Sequence, residues 1–150
     1  GNEVFPDVTA GVCFAFSIKG VDMKPELTLL TCVVLLTLVQ AVIAVLGALL
    51  QVGLPMLAGN REEMPEIRGW GGRAARAHRN MLENLVLFAA LVLVAVVAGR
   101  TNAMTLLGAQ IFVWARLAYA AVYIVGLPWI RTGVWTVSVI GLAIIFLQLI

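Results

Sequence analysis

Charge is scarce in this 150-residue chain: Asp, Glu, Lys and Arg together make up 12% of it. Soluble domains carry about 25%. Hydrophobic residues reach 62%, against about 45–50% in a soluble fold. A core of this size could not hide so much apolar surface, so the excess must face lipid. The net charge of +2 comes with no basic stripe outside the loops, which removes nucleic acid as a partner. Two cysteines, Cys13 and Cys32, do not make a disulfide framework, and Cys32 lies in an apolar run as a small packing residue. His78 is the one histidine. With no CxxC or HExxH spacing, a protein-bound transition metal is not expected. The first long apolar run has no acidic residue after Glu26, which argues against a small four-span exporter, since such exporters need a carboxylate central in that span.

What is present is four long apolar runs. A span needs about 20 such residues to cross roughly 30 Å of hydrocarbon. The runs cover Leu27 to about Leu57, Arg73 to Gly99, Ala103 to Gly126, and Val134 to Ile150. Continuous apolar runs rather than alternating ones predict helices, which satisfy their own backbone in lipid. The fold class is therefore all-α: an integral membrane four-helix bundle. Pro55 marks a loosening late in the first run, and Gly69, Gly71 and Gly72 predict a flexible first loop. Leu127 to Gly133 reads as the third connection. Residues 1–22 read as a non-native or disordered extension ahead of a membrane domain at 23–150, with Met23 as the natural start. Arg61, Arg68, Arg73, Arg76, Arg79 and Arg131 fall on one side, and Lys19, Lys24 and Arg100 on the other. Excess Lys and Arg mark the cytoplasmic side. The first and third loops are thus expected in the cytoplasm, in a bacterial inner membrane. Trp70, Trp129 and Trp135 sit near span boundaries, as interfacial tryptophans do.

Two helices carry polar stripes. Arg73, Arg76, Asn80 and Glu83 recur at steps of three, four and three, which is one helix face, with His78 and Arg79 flanking it. Arg116, Tyr119 and Tyr123 recur at three and four on the next helix. Arg116 lies well inside its span, where an ionisable residue faces the bundle interior and marks function; a charge-paired reading is natural, with Glu83 or another carboxylate as partner. Each residue also has a plainer reading. Arg116 and Glu83 could form a purely structural pair, the loop arginines a topology signal, His78 a solvated interfacial side chain, and the tyrosines ordinary packing. Gln40 and Asn84 read as hydrogen-bonding glue between helices. Together, however, the set suits a small acidic ligand with a free amine. Arginines take carboxylates, a carboxylate takes the amine, and amides and phenols orient the rest. Glutathione has that charge layout. A positive site would also favour its thiolate, the nucleophilic form.

The run Arg76-Ala77-His78-Arg79-Asn80-Met81-Leu82-Glu83 resembles the second-helix signature Arg-Ala-x-x-Asn-x-x-Glu of the MAPEG family, the membrane-bound glutathione transferases and their eicosanoid-making relatives. Arg116-Leu117-Ala118-Tyr119-Ala120-Ala121-Val122-Tyr123 is similar to the family's third-helix pattern. Gln51 has a plausible counterpart, and the resemblance covers most of 27–150. It implies a homotrimer that binds glutathione between adjacent subunits and takes lipophilic small molecules from the bilayer. Arg76, Asn80 and Glu83 would come from one subunit, with Arg73 and His78 beside them. Arg116, Tyr119 and Tyr123 would come from its neighbour. Arg131 would be the catalytic arginine that stabilises the thiolate, followed by Thr132 where some members have serine. The sequence departs from the pattern at Gly53, where some members have a basic residue, and at Gly72, where many have glutamate. The Tyr123-to-Arg131 spacing also differs from that of some members.

The expected activity is a glutathione-dependent transferase or peroxidase acting on lipophilic electrophiles. The alternative is a non-catalytic membrane binding or scaffold protein of the same fold, since fold alone does not establish chemistry.

Overall fold

The computed structural model describes residues 23–60 and 64–150. The expected extension at 1–22, with Cys13 and Lys19, lies outside the described residues, as does Arg61. Four helices follow one another: α1 Pro25–Ala58, α2 Gly69–Val97, α3 Ala103–Val125 and α4 Pro128–Leu147. All four are long and apolar enough to cross a membrane. The shortest, with 20 residues, extends about 30 Å, the thickness of the hydrocarbon layer. The all-α membrane bundle expected from the sequence is the observed fold. α1 packs mainly on α2 and also on α3, while α4 packs mainly on α3 and also touches α2.

Three boundaries differ from expectation, each for a local reason. α1 breaks at Gly53 (φ 79°, ψ 163°), two residues before Pro55. A proline cannot donate to the preceding turn and disfavours helical backbone at the residue before it. Glycine absorbs the break because this backbone region is closed to side chains. α2 begins at Gly69, so Gly71 and Gly72 lie within a helix, and both are buried. Rather than loosening the loop, Gly71 lets α2 approach α1, where a Cβ built on Gly47 would stand 2.7 Å from the Gly71 Cα, and Gly72 leaves room for the Ile67 carbonyl, which a Cβ there would meet. α4 begins at Pro128, not Val134. Gly126 ends α3 in the left-handed region (φ 93°), and Pro128 opens α4 at its first turn, where the missing N–H costs nothing. The connection shrinks to Gly126 and Leu127, which moves Arg131 and Thr132 onto the first turn of a helix.

Phe88 of α2 stacks on Phe112 of α3 with ring centroids 4.2 Å apart, at the centre of a core that includes Val33, Met81, Val92 and Ile145. α3 and α4 meet through Gly108 and Gly141: a Cβ on either would lie 2.7 Å from the other's carbonyl oxygen. Close backbone approach of this kind is how helices associate where lipid removes the hydrophobic drive. The apolar side chains left exposed on all four helices, such as Val42, Val86, Leu117 and Ile140, form the surface that lipid covers.

One end of the bundle is tied by hydrogen bonds. Asn102 caps α3 by accepting from the Met104 and Thr105 amides, and Thr105 Oγ1 accepts in return from the Asn102 amide. The Thr105 hydroxyl lies 2.8 Å from Oε1 of the buried Glu26 on α1 and donates to it. Lys24 donates to Thr101, Asn102 to Gln148, and Arg100 to the Leu149 carbonyl.

Candidate functional site

The other end holds the α1–α2 link and the α3–α4 turn. Gln51, just before the break in α1, grips the link with both ends of its amide. Its Nε2 donates to the Arg68 carbonyl and its Oε1 accepts from the Arg68 amide, each at 2.9 Å. This fixes the chain one residue ahead of α2. Arg73 then reaches across to α3, where its Nε donates to the Ile124 carbonyl at 2.9 Å. The last carbonyls of a helix lack helical partners, and a cation there is favoured by the helix dipole. Arg131, one turn into α4, lays its guanidinium 4.8 Å over the Tyr123 ring.

These side chains enclose two adjoining cavities. The smaller, of about 160 Å³, lies among Arg73, Arg76 and Arg131, with Tyr123 and the turn at residues 126–128 completing it. The larger, of about 330 Å³, is lined by Asn80, Tyr119, Tyr123, Arg131, Thr132 and Trp135. Tyr123 and Arg131 belong to both. No acidic side chain among the described residues lines either one. Among the described residues the ion pair within 4 Å is Arg68–Glu66 at 3.7 Å, in which both side chains are well exposed. Arg73 donates to the Ile124 carbonyl and Arg131 lies over Tyr123, but among the described residues none of Arg73, Arg76 and Arg131 meets a carboxylate.

Arg116 sits deeper, nine residues or about 14 Å before the end of α3, and is fully buried at 0% exposure. The expected pairing with Glu83 is not formed. Nη1 donates to Asn80 Oδ1 at 2.7 Å and Nη2 to Ser138 Oγ at 2.9 Å. The guanidinium also lies 5.5 Å from the Phe112 centroid and 5.1 Å from that of Tyr119. Neutral acceptors and aromatic faces take the place of the carboxylate because α2 turns Asn80 toward α3 and leaves Glu83 on the exposed surface. Nor, among the described residues, do Gln40 and Asn84 show the expected hydrogen bonds between helices. Asn84 donates to the Asn80 carbonyl in its own helix, and Gln40 Oε1 is buried without a partner.

Of the residues singled out in the sequence, Arg73, Arg76, Asn80, Tyr119, Tyr123 and Arg131 line the two cavities. Arg116 lies behind them, and Glu83, His78 and Arg79 line neither. His78 is half-buried, with Nδ1 enclosed and unpartnered. The two stripes expected from neighbouring subunits meet inside one chain, where Asn80 bonds Arg116. Sequence reasoning did not find Ser138 or Trp135 as part of this region. The signal for Ser138 was a lone serine in an apolar span. That for Trp135 was indistinguishable from an interfacial tryptophan, and Trp129, read the same way, is 91% exposed.

The model of the MAPEG family matches residues 27–150. No curated protein and no solved structure matches the chain.

Proposed function

The chain belongs to the MAPEG family, and from that premise we propose that it is a glutathione-dependent transferase or peroxidase acting on lipophilic electrophiles. One observation carries the reading. Three arginines with no carboxylate partner among the described residues surround a small cavity, and one of them, Arg131, with Tyr123, forms the wall it shares with a larger aromatic cavity. Arginine is the residue suited to carboxylates because its planar fork donates in pairs. Arg73 and Arg76 hold glutathione's carboxylates. Arg131, at the shared wall, faces the thiol. A neighbouring guanidinium favours the thiolate over the thiol, which raises the fraction of nucleophile at neutral pH.

In transfer, the thiolate sulfur forms a bond to the electrophilic carbon and the leaving group departs with its electron pair. Tyr119, Trp135 and Thr132 offer the electrophile a surface of mixed polarity, as ligand pockets do. The cosubstrate's amine needs a carboxylate, and none of the described residues lining either cavity supplies one. We place Glu83 of a second copy there. It is exposed on α2 in the single chain, and a homotrimer would bring it to a neighbour's site. The arginine-rich end faces the cytoplasm of a bacterial cell, where glutathione is reduced, and the electrophile enters from the bilayer.

Replacing Arg131 with alanine tests the thiolate role. Turnover should fall far more than glutathione affinity. An equal fall in both would assign Arg131 to binding alone. Unchanged values for both would take Arg131 out of the site, and a wild type without turnover would favour the scaffold reading.

A further inference from the structure

Arg116 lines neither cavity, yet three walls of the larger one lead to it. Asn80 accepts from its Nη1, Tyr119 lies against its face, and Ser138, which accepts from Nη2, donates in turn to the Trp135 carbonyl at 2.7 Å. We propose that Arg116 is a positioning residue that sets the donor directions of this cavity, a role that rests on the reading that the cavity receives the cosubstrate's thiol end.

A guanidinium has donors and no acceptor. Asn80 can therefore meet Arg116 only through Oδ1, which leaves its NH₂ group turned away from the guanidinium, on a side chain that lines the cavity. Unconstrained, an amide presents either end. Fixed this way, Asn80 is a donor, suited to a carbonyl, a carboxylate or a thiolate. Ser138 is set by the same logic. Its oxygen accepts from Arg116, so its proton goes to the Trp135 carbonyl, and α4 is held in register with α3 next to the Trp135 wall. A buried guanidinium is costly to place in a membrane. Here it meets neutral acceptors rather than a carboxylate, so its positive charge stays uncancelled behind the cavity.

Two variants of the full chain in detergent test this. Asn80→Asp turns the neutral contact into an ion pair with Arg116, a stronger contact, while removing the donor from the cavity. The thermal midpoint should hold or rise while glutathione affinity, measured by calorimetry, falls about ten- to a hundredfold. A merely structural Asn80–Arg116 contact would instead leave affinity at the wild-type value, and that result would overturn the proposal. Ser138→Ala frees the Trp135 end. Glutathione affinity should fall about three- to tenfold, and the fluorine resonance of 5-fluorotryptophan at Trp135, assigned through Trp135→Phe, should shift in the unliganded protein. An unmoved resonance with unmoved affinity would overturn the proposal. Absence of glutathione binding by the wild type would sink the parent reading only. The Trp135 resonance then decides alone: a shift in Ser138→Ala supports the tie through Arg116, and no shift overturns it.

Discussion

At the Lys24–Arg100 end of the bundle, polar side chains find partners within the chain. Lys24, Glu26, Arg100, Asn102 and Thr105 are all hydrogen-bonded there, and the carboxylate of Glu26 is buried against a hydroxyl. At the Arg73–Arg131 end, three arginines face two cavities and, among the described residues, none meets a carboxylate. The two ends are similarly polar in sequence. They differ in that the first buries a carboxylate among its bonded groups, whereas the arginines of the second, with Arg73 held on the Ile124 carbonyl, lie beside cavities whose described lining has none. A charge that finds its partner inside the fold closes a helix end. One left unanswered beside a cavity is available to a ligand, and an apolar chain keeps such charges only at a cost.

That contrast can be broken in several ways. The largest effect is expected at the open end. Arg131→Ala should lower the rate of conjugation with an aromatic chloride by about a hundredfold or more, as loss of one preorganised charge donor does, with a change in glutathione affinity of less than about tenfold. Steady-state kinetics beside calorimetry read both. Next comes the packing that holds α3 to α4 between the ends. Gly108→Ala places a Cβ 2.7 Å from the Gly141 carbonyl and should cost about 1–3 kcal/mol, seen as a lower thermal midpoint. At the closed end, Thr105→Val removes the partner of buried Glu26. It should cost a similar or smaller amount, about 1–3 kcal/mol, while leaving glutathione affinity within about twofold. A large loss of affinity would erase the distinction between the ends. The smallest effect belongs to Gln51→Ala, which releases the link from its grip on Arg68. Stability should fall by about 1 kcal/mol, and proteolysis between residues 58 and 68 should quicken.

Helix number, order and membrane character were legible because lipid exposure writes itself as long apolar runs. The stripe spacing also identified most of the cavity lining, since steps of three and four put Arg73, Arg76 and Asn80 on one face whatever the tertiary structure. What failed to show was whatever depends on a second helix. Glu83 lies on nearly the same face as Asn80, but its rotation carries it to the outer surface, and no pattern within α2 separates the two. Arg116 was correctly read as facing the interior, while its partners, Asn80 and Ser138, are set by the packing of α2 and α4 on α3. The glycines misled for the same reason. Gly71 looks like a loop residue until Gly47 is placed against it. Gly53 is where the departure from the family's pattern gains a reason: its backbone region excludes side chains, so a basic residue could not occupy that position with this break in α1.

The most direct test of the open end is calorimetry of glutathione binding to the purified, detergent-solubilised protein, with Arg76→Ala run beside it. Arg76 faces the smaller cavity and makes no hydrogen bond or ion pair among the described residues, so its loss should leave the fold intact. Saturable binding by the wild type, weakened about tenfold or more in the variant, is the result predicted here. A folded wild type that binds no glutathione, or a variant that binds it equally well, would contradict the account and give the unanswered arginines to another ligand.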